Sequence, residues 1–174
     1  LSGTNEAGSS VKVYDNSTEL GTATAADNGT SWSYTATVAN GTTHLFNVRE
    51  TDLAGNTSAA TSNLAVTGDT TAPTAPSVSG TTPTDNTTPT WNWSAGGGGN
   101  GTYRYKLDNN DLTSGATETT STSYTPGSGI SEGSHILYVQ ERDAAGNWSS
   151  SGSSTIVIDT TAPTITSFTS TTNN

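Results

Sequence analysis

The chain repeats itself at an offset of about 90 residues. The segment G-T-T-H-L-F-N-V-R-E-T-D-L-A-G-N at 41–56 aligns with G-S-H-I-L-Y-V-Q-E-R-D-A-A-G-N at 133–147, and a D-T-T-A-P segment follows each copy. A fixed period indicates that one kind of structural unit is used twice, and about 90 residues is the usual size of a small sandwich domain. The repeat therefore predicts two units and a tail, at 1–69, 70–160 and 161–174.

Apolar residues within each unit alternate with polar ones. Phe46 and Val48 have the same parity, and so do their counterparts Leu137 and Val139. Alternation with a period of two is typical of a strand with one buried face, and no segment has helical periodicity. The polar residues expected on the solvent face are Asn47, Arg49, Gln140 and Arg142. Other strands with this pattern are predicted at Val11 and Val13, Trp32 and Tyr34, Trp91 and Trp93, Tyr103 to Leu107, and Ile156 and Ile158.

Turn signals separate these strands at short intervals. They are Asp27–Asn28–Gly29, Asn40–Gly41, the glycine-rich run 96–101 and Pro126–Gly127. Many short strands with frequent turns predict an all-β chain of two antiparallel Ig-like sandwiches in tandem. Leu, Ile, Val and Phe number only 23 of 174 residues, below the roughly 20% at which composition alone suggests disorder. We therefore expect thin cores in which Trp and Tyr supply bulk.

Charge and composition exclude several classes of function. Fifteen acidic and five basic residues give a net charge of -10, which repels phosphate backbones and argues against nucleic-acid binding. The lack of cysteine removes disulfides and thiolate catalysis. No apolar run approaches the roughly 18 residues of a membrane span, so membrane insertion is not expected.

Enzymatic motifs are missing from the sequence as well. There is no G-x-S-x-G segment, and the glycine-rich run lacks the Lys-Ser/Thr of a phosphate loop. His44 and His135 occupy equivalent positions of the repeat, which favours an architectural role, and the pattern places no third group near them. Asp108 and Asp111 are interpreted as part of a solvated loop. We expect the chain not to be an enzyme.

Four segments of the first unit follow one another in an informative order. They are S-G-T-N-E-A-G-S-S-V-K-V-Y-D at 2–15, E-L-G-T-A-T-A at 19–25, N-G-T-S-W-S-Y at 28–34 and T-D-L-A-G-N at 51–56. In this order they resemble the bacterial Ig-like domains that occur in tandem in large surface adhesins and biofilm proteins. The second unit, with T-P-T-W-N-W-S at 88–94 and T-Y-R-Y-K-L at 102–107, is also similar to fibronectin-III-type sandwiches.

The resemblance implies a non-enzymatic, extracellular role. Such modules form strings that hold a binding tip away from a bacterial cell, on the cell surface or in a secreted filament. The implied partners are neighbouring Ig-like modules or identical subunits joined end to end, and a host or biofilm glycan or protein. The resemblance also implies calcium at the junctions between modules.

The acidic residues point to calcium without the resemblance. In an Ig topology, the D-x-A-G-N loop lies at the end of the domain where the chain enters, so the linker residue Asp69 is expected beside the loop of the second unit. Glu141 shares the parity of Asp143. Calcium takes about 6–8 oxygen ligands, so the sequence predicts a junction site formed by Asp69, Glu141, Asp143 and Asn147. The alternative is that these Asp and Asn residues only shape turns.

The same reasoning assigns incomplete calcium sites to the two ends of the chain. Glu50, Asp52 and Asn56 would form an upstream half-site that needs a linker carboxylate. Asp159 would form a downstream half-site that needs a following loop.

The two ends of the chain also suggest strand exchange. The first unit begins at a segment typical of a second strand, so its own edge strand is expected to be missing. The tail residues Thr164, Ile165, Thr166, Ser167 and Phe168 look like a first strand without its domain. We hypothesise that this segment completes the next unit, either along the same chain or by donation to a neighbouring chain. The alternative is a disordered tail.

The aromatic residues of the second unit allow one further interpretation. Trp91, Trp93, Tyr103, Tyr105 and Trp148 would form a glycan- or protein-binding surface if they were exposed. The shared parity of Trp91 and Trp93 favours a core instead. Trp148, beside the predicted metal loop, stays a candidate ligand-binding residue.

Overall fold

The computed structural model describes residues 1–25 and 29–169 and divides the chain into two compact units, Leu1–Thr71 and Ala72–Asn174. Every regular element in the described residues is a strand, which confirms the predicted all-β class. In these residues there is accordingly no helix long and apolar enough to cross a membrane. The predicted turn residues Asp27 and Asn28 and the tail residues 170–174 lie outside the described residues.

Unit 1 has its described strands in two antiparallel sheets. They are β1 (Ser2–Thr4), β2 (Ser10–Asp15), β3 (Thr18–Thr22), β4 (Thr24–Ala25), β5 (Ser31–Ser33), β6 (Thr43–Thr51) and β7 (Leu64–Thr67). One sheet has the order β1-β5-β4, and the other has the order β3-β2-β6-β7. The D-L-A-G-N segment lies in the connection between β6 and β7, two strands that pair directly with each other.

Unit 2 repeats this plan. Its described strands are β8 (Ser77–Gly80), β9 (Trp91–Ser94), β10 (Thr102–Leu107), β11 (Thr117–Thr119), β12 (Ser123–Tyr124), β13 (Gly133–Arg142) and β14 (Gly152–Ile158). The sheets have the orders β12-β9-β8 and β11-β10-β13-β14. Here β9, the counterpart of β1, pairs on both sides, with β12 and with β8.

Aromatic and aliphatic side chains from both sheets form the core of unit 2. Trp91 and Trp93 of β9 pack against Tyr103, Leu137 and residues of the facing sheet. The rings of Trp93 and Tyr103 meet edge to face with centroids 5.9 Å apart, a favourable arrangement for aromatic pairs. The full buried cluster is Trp91, Trp93, Tyr103, Leu137, Val139, Ile156 and Ile158.

Unit 1 has a smaller core. Among its described residues, the buried hydrophobic side chains are Val11, Val13 and Phe46. The prediction that Asn47 faces solvent is wrong, because this residue is 8% exposed. Its Nδ2 donates to the carbonyl of Asn16 at 2.8 Å and to Oδ1 of Asn63 at 3.2 Å. A buried amide is tolerated when it is hydrogen-bonded in this way.

The segment 76–84 runs alongside β14 in unit 2, in the same direction. A Cβ on Gly152 would lie 1.9 Å from the carbonyl oxygen of Pro76, and one on Gly80 would lie 2.4 Å from Cδ1 of Ile156. Thr84 forms a parallel bridge with Ile158. The chain therefore enters unit 2 at one end and leaves it at the opposite end.

Candidate functional site

The D-x-A-G-N loops of the two units have the same internal geometry. In unit 1, Oδ1 of Asp52 accepts hydrogen bonds from the backbone N–H groups of Ala54 and Asn56, at 2.9 and 2.8 Å, and Oδ2 accepts from Nδ2 of Asn56 at 2.7 Å. In unit 2, Oδ1 of Asp143 accepts hydrogen bonds from the backbone N–H groups of Gly146 and Asn147, at 2.7 and 2.8 Å, and Oδ2 accepts from Nδ2 of Asn147 at 2.8 Å. Each Asp therefore shapes its turn through its carboxylate.

These hydrogen bonds keep both loop carboxylates ionised. The Asn56 side chain and backbone lower the pKa of Asp52, and the Asn147 side chain is the main cause that lowers the pKa of Asp143. Hydrogen bonds to a carboxylate favour its charged form. At neutral pH both loops thus present anionic oxygen atoms, the ligand type that hard cations prefer.

Three predicted residues of the upstream half-site come together in unit 1. Glu50, Asp52 and Asn56 line one cleft of about 240 Å³ with Glu6, Thr57 and Ser58. Oε1 of Glu50 accepts hydrogen bonds from the backbone N–H of Glu6, at 2.5 Å, and from the hydroxyl of Ser9. The Ser9 hydroxyl is the main cause that lowers the pKa of Glu50. The cleft is therefore anionic at neutral pH.

Glu141, the counterpart of Glu50, is placed differently. It is 1% exposed and lies beneath the glycine-rich run, where Oε2 accepts the N–H of Gly96 at 3.2 Å. A Cβ on Gly99 would lie 2.1 Å from Cδ of Glu141, so glycine is required there for the loop to cover the carboxylate. Burial and Glu141 together raise the pKa of Tyr103. Through its hydrogen bond with Gly96, Glu141 anchors the glycine-rich run to strand β13.

The two D-T-T-A-P segments also share a geometry. Oδ1 of Asp69 accepts the N–H of Thr71 at 2.9 Å, and Oδ1 of Asp159 accepts the N–H of Thr161 at 3.0 Å. In unit 2 the carboxylate of Glu132 accepts the hydroxyls of Thr160 and Thr161. Both Asp residues therefore start an Asx turn where the chain leaves a unit.

Within each unit, the described residues contain no group of three or more His, Asp or Glu arranged to hold a metal ion. The predicted junction site combines Asp69 of unit 1 with Glu141, Asp143 and Asn147 of unit 2, and it stays a prediction. Asp143 is 5% exposed.

Trp148, the candidate ligand-binding residue, is half-buried and lies close to two arginines. The guanidinium of Arg104 lies 4.3 Å from the ring centroid and that of Arg142 lies 5.4 Å from it. Cation–π contacts of this kind stabilise a surface aromatic residue. Trp148 therefore has a structural role in unit 2, and its role in ligand binding stays a prediction.

The folded chain forms two aspartate–histidine pairs that the repeat pattern does not predict. Nδ1 of His44 lies 2.7 Å from Oδ2 of Asp15, and Nδ1 of His135 lies 2.7 Å from Oδ2 of Asp108. The other oxygen of each Asp accepts the backbone N–H of the residue after the histidine. Asp108 lies in an exposed loop, as predicted, and its carboxylate also holds the start of β13.

Ser131 completes a serine–histidine–aspartate group in unit 2, although the repeat pattern placed no third group there. Nε2 of His135 lies 3.3 Å from the Ser131 hydroxyl and 3.0 Å from the Ser131 carbonyl oxygen. A carbonyl oxygen only accepts, so Nε2 carries a proton and donates it. A protonated Nε2 cannot act as a general base toward the hydroxyl, which makes this group structural.

Residues 1–67 match the family model described as a bacterial Ig domain, and residues 72–160 match the one described as a bacterial Ig-like domain. The chain belongs to the bacterial Ig-like domain family. Bacterial Ig-like domains are commonly extracellular or surface-associated structural modules and are typically non-enzymatic. The predicted tandem arrangement of two such domains is confirmed.

Solved structures similar to this chain include the fibronectin(III)-like modules of Clostridium thermocellum CbhA. The match has 17% sequence identity and a TM-score of 0.49, and it covers 90% of this chain and 80% of that chain. No curated protein matches the chain.

The second Ig-like unit is expected to lose stability as the pH rises above about 6.5. The hydrogen bond with Asp108 raises the pKa of His135 above its ordinary value of 6.5. A group whose pKa is higher in the folded state stabilises the fold below its unfolded pKa, and this contribution disappears as the pH rises through the folded pKa. Thermal unfolding followed by tryptophan fluorescence at pH 6 and pH 9 measures the effect.

Asp108→Asn is the matched variant for this prediction, because it removes the charge that holds the imidazolium and keeps the side-chain shape. We expect its melting temperature to change less between pH 6 and pH 9 than that of the wild type. Equal pH profiles for the two proteins would show that the Asp108–His135 pair does not couple folding to protonation.

Proposed function

We propose that this chain is an extracellular spacer in a bacterial surface or filament protein, with adhesive function carried by the array it extends. The observation that carries the proposal is the course of the chain through unit 2, which it enters at one end and leaves at the other. A module of this kind adds its full length to an array. Its partners are neighbouring Ig-like modules or identical chains joined end to end.

The use of the aromatic residues supports a structural role. Trp91, Trp93 and Tyr103 are between 0 and 5% exposed, so they supply core packing rather than a binding surface. In both units the D-x-A-G-N loop at the end of the sandwich, here called the end loop, is held by hydrogen bonds between its own Asp and Asn side chains. Modules with well-packed cores and hydrogen-bonded loops suit a spacer, which has to keep its length under force.

We extend the proposal to calcium bound at the end loops. The donor set of the unit 1 cleft, with Glu50, Asp52 and Asn56, consists of hard oxygen ligands held in their charged form, which suits Ca²⁺. Asp143 and Asn147, with Asp69 from the linker, would form the junction site, and Asp159 would contribute to the next one. Bound calcium would tie loop and linker carboxylates together, which stiffens a junction.

Calcium is expected to raise both the melting temperature and the radius of gyration of the EDTA-treated chain. Extracellular modules bind calcium with dissociation constants of about 0.1–1 mM, and a tenfold excess over such a constant stabilises the folded state by about 1.4 kcal/mol. A compact chain of 174 residues would have a radius of gyration of about 16 Å, and a spacer is expected to exceed this by half. Calorimetry and small-angle X-ray scattering measure the two quantities.

Two variants make the calcium test specific. The double variant Asp69→Asn/Asp143→Asn is expected to lose most of the calcium response, whereas Glu118→Gln, which changes an exposed carboxylate within strand β11, is expected to keep it. A large radius of gyration with no response to 10 mM calcium would overturn the calcium proposal and leave the spacer proposal intact. A radius near 16 Å in both conditions would overturn the spacer proposal.

The tail fits the same function. Residues Thr164 to Phe168 follow the second D-T-T-A-P segment, just as β8 follows the first. We propose that they form the first strand of a neighbouring unit, so that consecutive modules are joined by strand pairing at their edges.

A further inference from the structure

The five basic residues of the chain all lie in strands of the two four-stranded sheets. They are Lys12 and Arg49 in unit 1, and Arg104, Lys106 and Arg142 in unit 2. The chain has fifteen acidic residues and a net charge of -10, so a sheet that collects cations differs from the rest of the molecule. Each unit therefore has its positive charge on one sheet.

The cations of unit 2 lie on the outer face of their sheet. Tyr103, Val139 and Glu141, which alternate with them along β10 and β13, are buried toward the core, and successive side chains of a strand point to opposite faces. All residues of this outer face are half-buried, so each keeps a surface that a partner can reach. We call it the basic face, and its residues are Arg104, Lys106, Tyr138, Gln140, Arg142 and Trp148.

Neutral groups hold the three cations of the basic face in place. Nε of Arg104 donates to Oε1 of Gln140 at 2.7 Å, and its guanidinium lies 4.3 Å from the centroid of the Trp148 ring. The guanidinium of Arg142 lies 5.4 Å from the same centroid. Nζ of Lys106 donates to two loop carbonyl oxygens, at 3.2 and 2.9 Å. These contacts fix the positions of the charged groups without neutralising them.

The basic face also differs from the sheet of unit 1 in its ion pairs. Within residues 1–25 and 29–169, no carboxylate oxygen lies within 4.0 Å of a side-chain nitrogen of Arg104, Lys106 or Arg142. In unit 1, Nζ of Lys12 forms a salt bridge with Glu19 at 2.9 Å. Unit 2 thus presents three positive charges that are positioned and available to an anionic partner, and a guanidinium pairs with a carboxylate through two parallel hydrogen bonds.

The three cations occupy consecutive outward positions along the sheet. Arg142 lies opposite Thr102, which is two residues before Arg104, and Lys106 is two residues after Arg104. Residues two apart in a strand are separated by about 7 Å, and the same spacing separates the side chains on one side of any extended peptide. Carboxylates at alternate residues of an extended acidic segment therefore match the spacing of the cations.

We propose that the basic face of unit 2 binds an extended acidic segment of a partner protein, whose alternate carboxylates pair with Arg142, Arg104 and Lys106. Arginine and aromatic residues are enriched at protein interfaces, and clusters of arginine are a recurring means of binding acidic motifs. The net charge of -10 repels a polyanion that extends beyond the face, which favours a short segment over a long acidic glycan or a second copy of this chain. Binding here gives unit 2 a recognition role besides its proposed role as a spacer.

Titration of the full chain into a fluorescently labelled peptide tests the proposal. The peptide S-E-S-E-S-E-S presents three carboxylates on one side when it is extended, whereas E-S-S-E-S-S-E, of the same composition, presents successive carboxylates on opposite sides. In about 50 mM salt we expect a Kd below about 100 µM for the first peptide and binding about tenfold weaker for the second. Raising the salt to about 500 mM should weaken binding of the first peptide, because salt screens exposed ion pairs.

Three variants locate the site on the basic face. Arg104→Gln/Lys106→Gln removes two of the three cations and should weaken binding about tenfold or more, and Lys106→Gln alone serves if the double variant does not fold. Glu118→Gln removes the carboxylate opposite Arg104 in register and should strengthen binding about twofold. Lys12→Gln removes a cation that is already paired with Glu19 and should leave the affinity unchanged. Circular dichroism shows whether each variant is folded.

The outcomes separate this inference from the proposed function. A wild-type chain that does not bind S-E-S-E-S-E-S at about 1 mM, or that binds both peptides equally, overturns the inference, while the scattering result still decides the spacer role. Binding of polygalacturonate but of neither peptide would also overturn it, by assigning the face to an acidic glycan. So would self-association of the chain that Arg104→Gln/Lys106→Gln abolishes. Spacing-dependent peptide binding that falls in this double variant but not in Lys12→Gln supports it.

Discussion

Replacing Trp91 with alanine is expected to lower the free energy of unfolding of unit 2 by about 3–5 kcal/mol. The indole is 0% exposed, its Nε1 donates to the carbonyl oxygen of Ser154 at 3.0 Å, and its ring stacks on Tyr124 with centroids 6.2 Å apart. Trp91 lies in one sheet and Ser154 in the other. The variant therefore opens a cavity between the sheets and leaves a carbonyl without its donor. Urea unfolding followed by circular dichroism measures the loss.

Trp148→Ala is the matched control, because it removes the same side chain from a half-buried position near Arg104 and Arg142. Its cost is expected to be about 1 kcal/mol, as for exposed cation–π contacts. A loss of about 1 kcal/mol or less in Trp91→Ala, no larger than that of Trp148→Ala, would contradict the assignment of Trp91 to the core.

The strands could be predicted because the alternation of apolar and polar residues is a local signal, which arises where one face of a strand is buried. Val11 and Val13, Trp91 and Trp93, and Ile156 and Ile158 are all buried, as their shared parities predicted. Asn47 departs from this pattern, because its partners Asn16 and Asn63 lie 31 and 16 residues away. Contacts at that separation are outside any sequence window, so the solvent-facing prediction for this residue was wrong.

The candidate site also combines contacts between residues that are close in sequence, which could be predicted, with contacts between distant residues, which could not. The Asp52–Asn56 hydrogen bonds span four residues, and the D-x-A-G-N motif alone was enough to place a loop there. The partners in the Asp15–His44 and Asp108–His135 pairs are 29 and 27 residues apart, and only the folded chain brings them together. Glu50 and Glu141 hold the same position of the repeat, yet only Glu141 is covered by the glycine-rich run. Their different burial could not be predicted from parity.

Gly152→Val is expected to detach the first strand of unit 2 from β14. A Cβ at this position would lie 1.9 Å from the carbonyl oxygen of Pro76 and 3.4 Å from Cγ2 of Val78. The first of these contacts is with backbone, which a change of side-chain rotamer does not relieve. We expect a loss of about 3 kcal/mol or more in the free energy of unfolding, at the upper end for overpacked cores.

Hydrogen exchange tells local detachment of β8 from general destabilisation in this variant. Amides of the β8–β9 pairing are expected to lose protection in Gly152→Val, while those between β10 and β13 keep it until the unit unfolds. Gly127→Ala is the matched control, because a Cβ at Gly127 meets no atom within 4 Å. If the β8 amides stay protected from exchange in both variants, then Gly152 is not required for β8 to pack against β14. If only Gly152→Val exposes the β8–β9 amides, then the absence of a side chain at Gly152 is what lets β8 pack against β14.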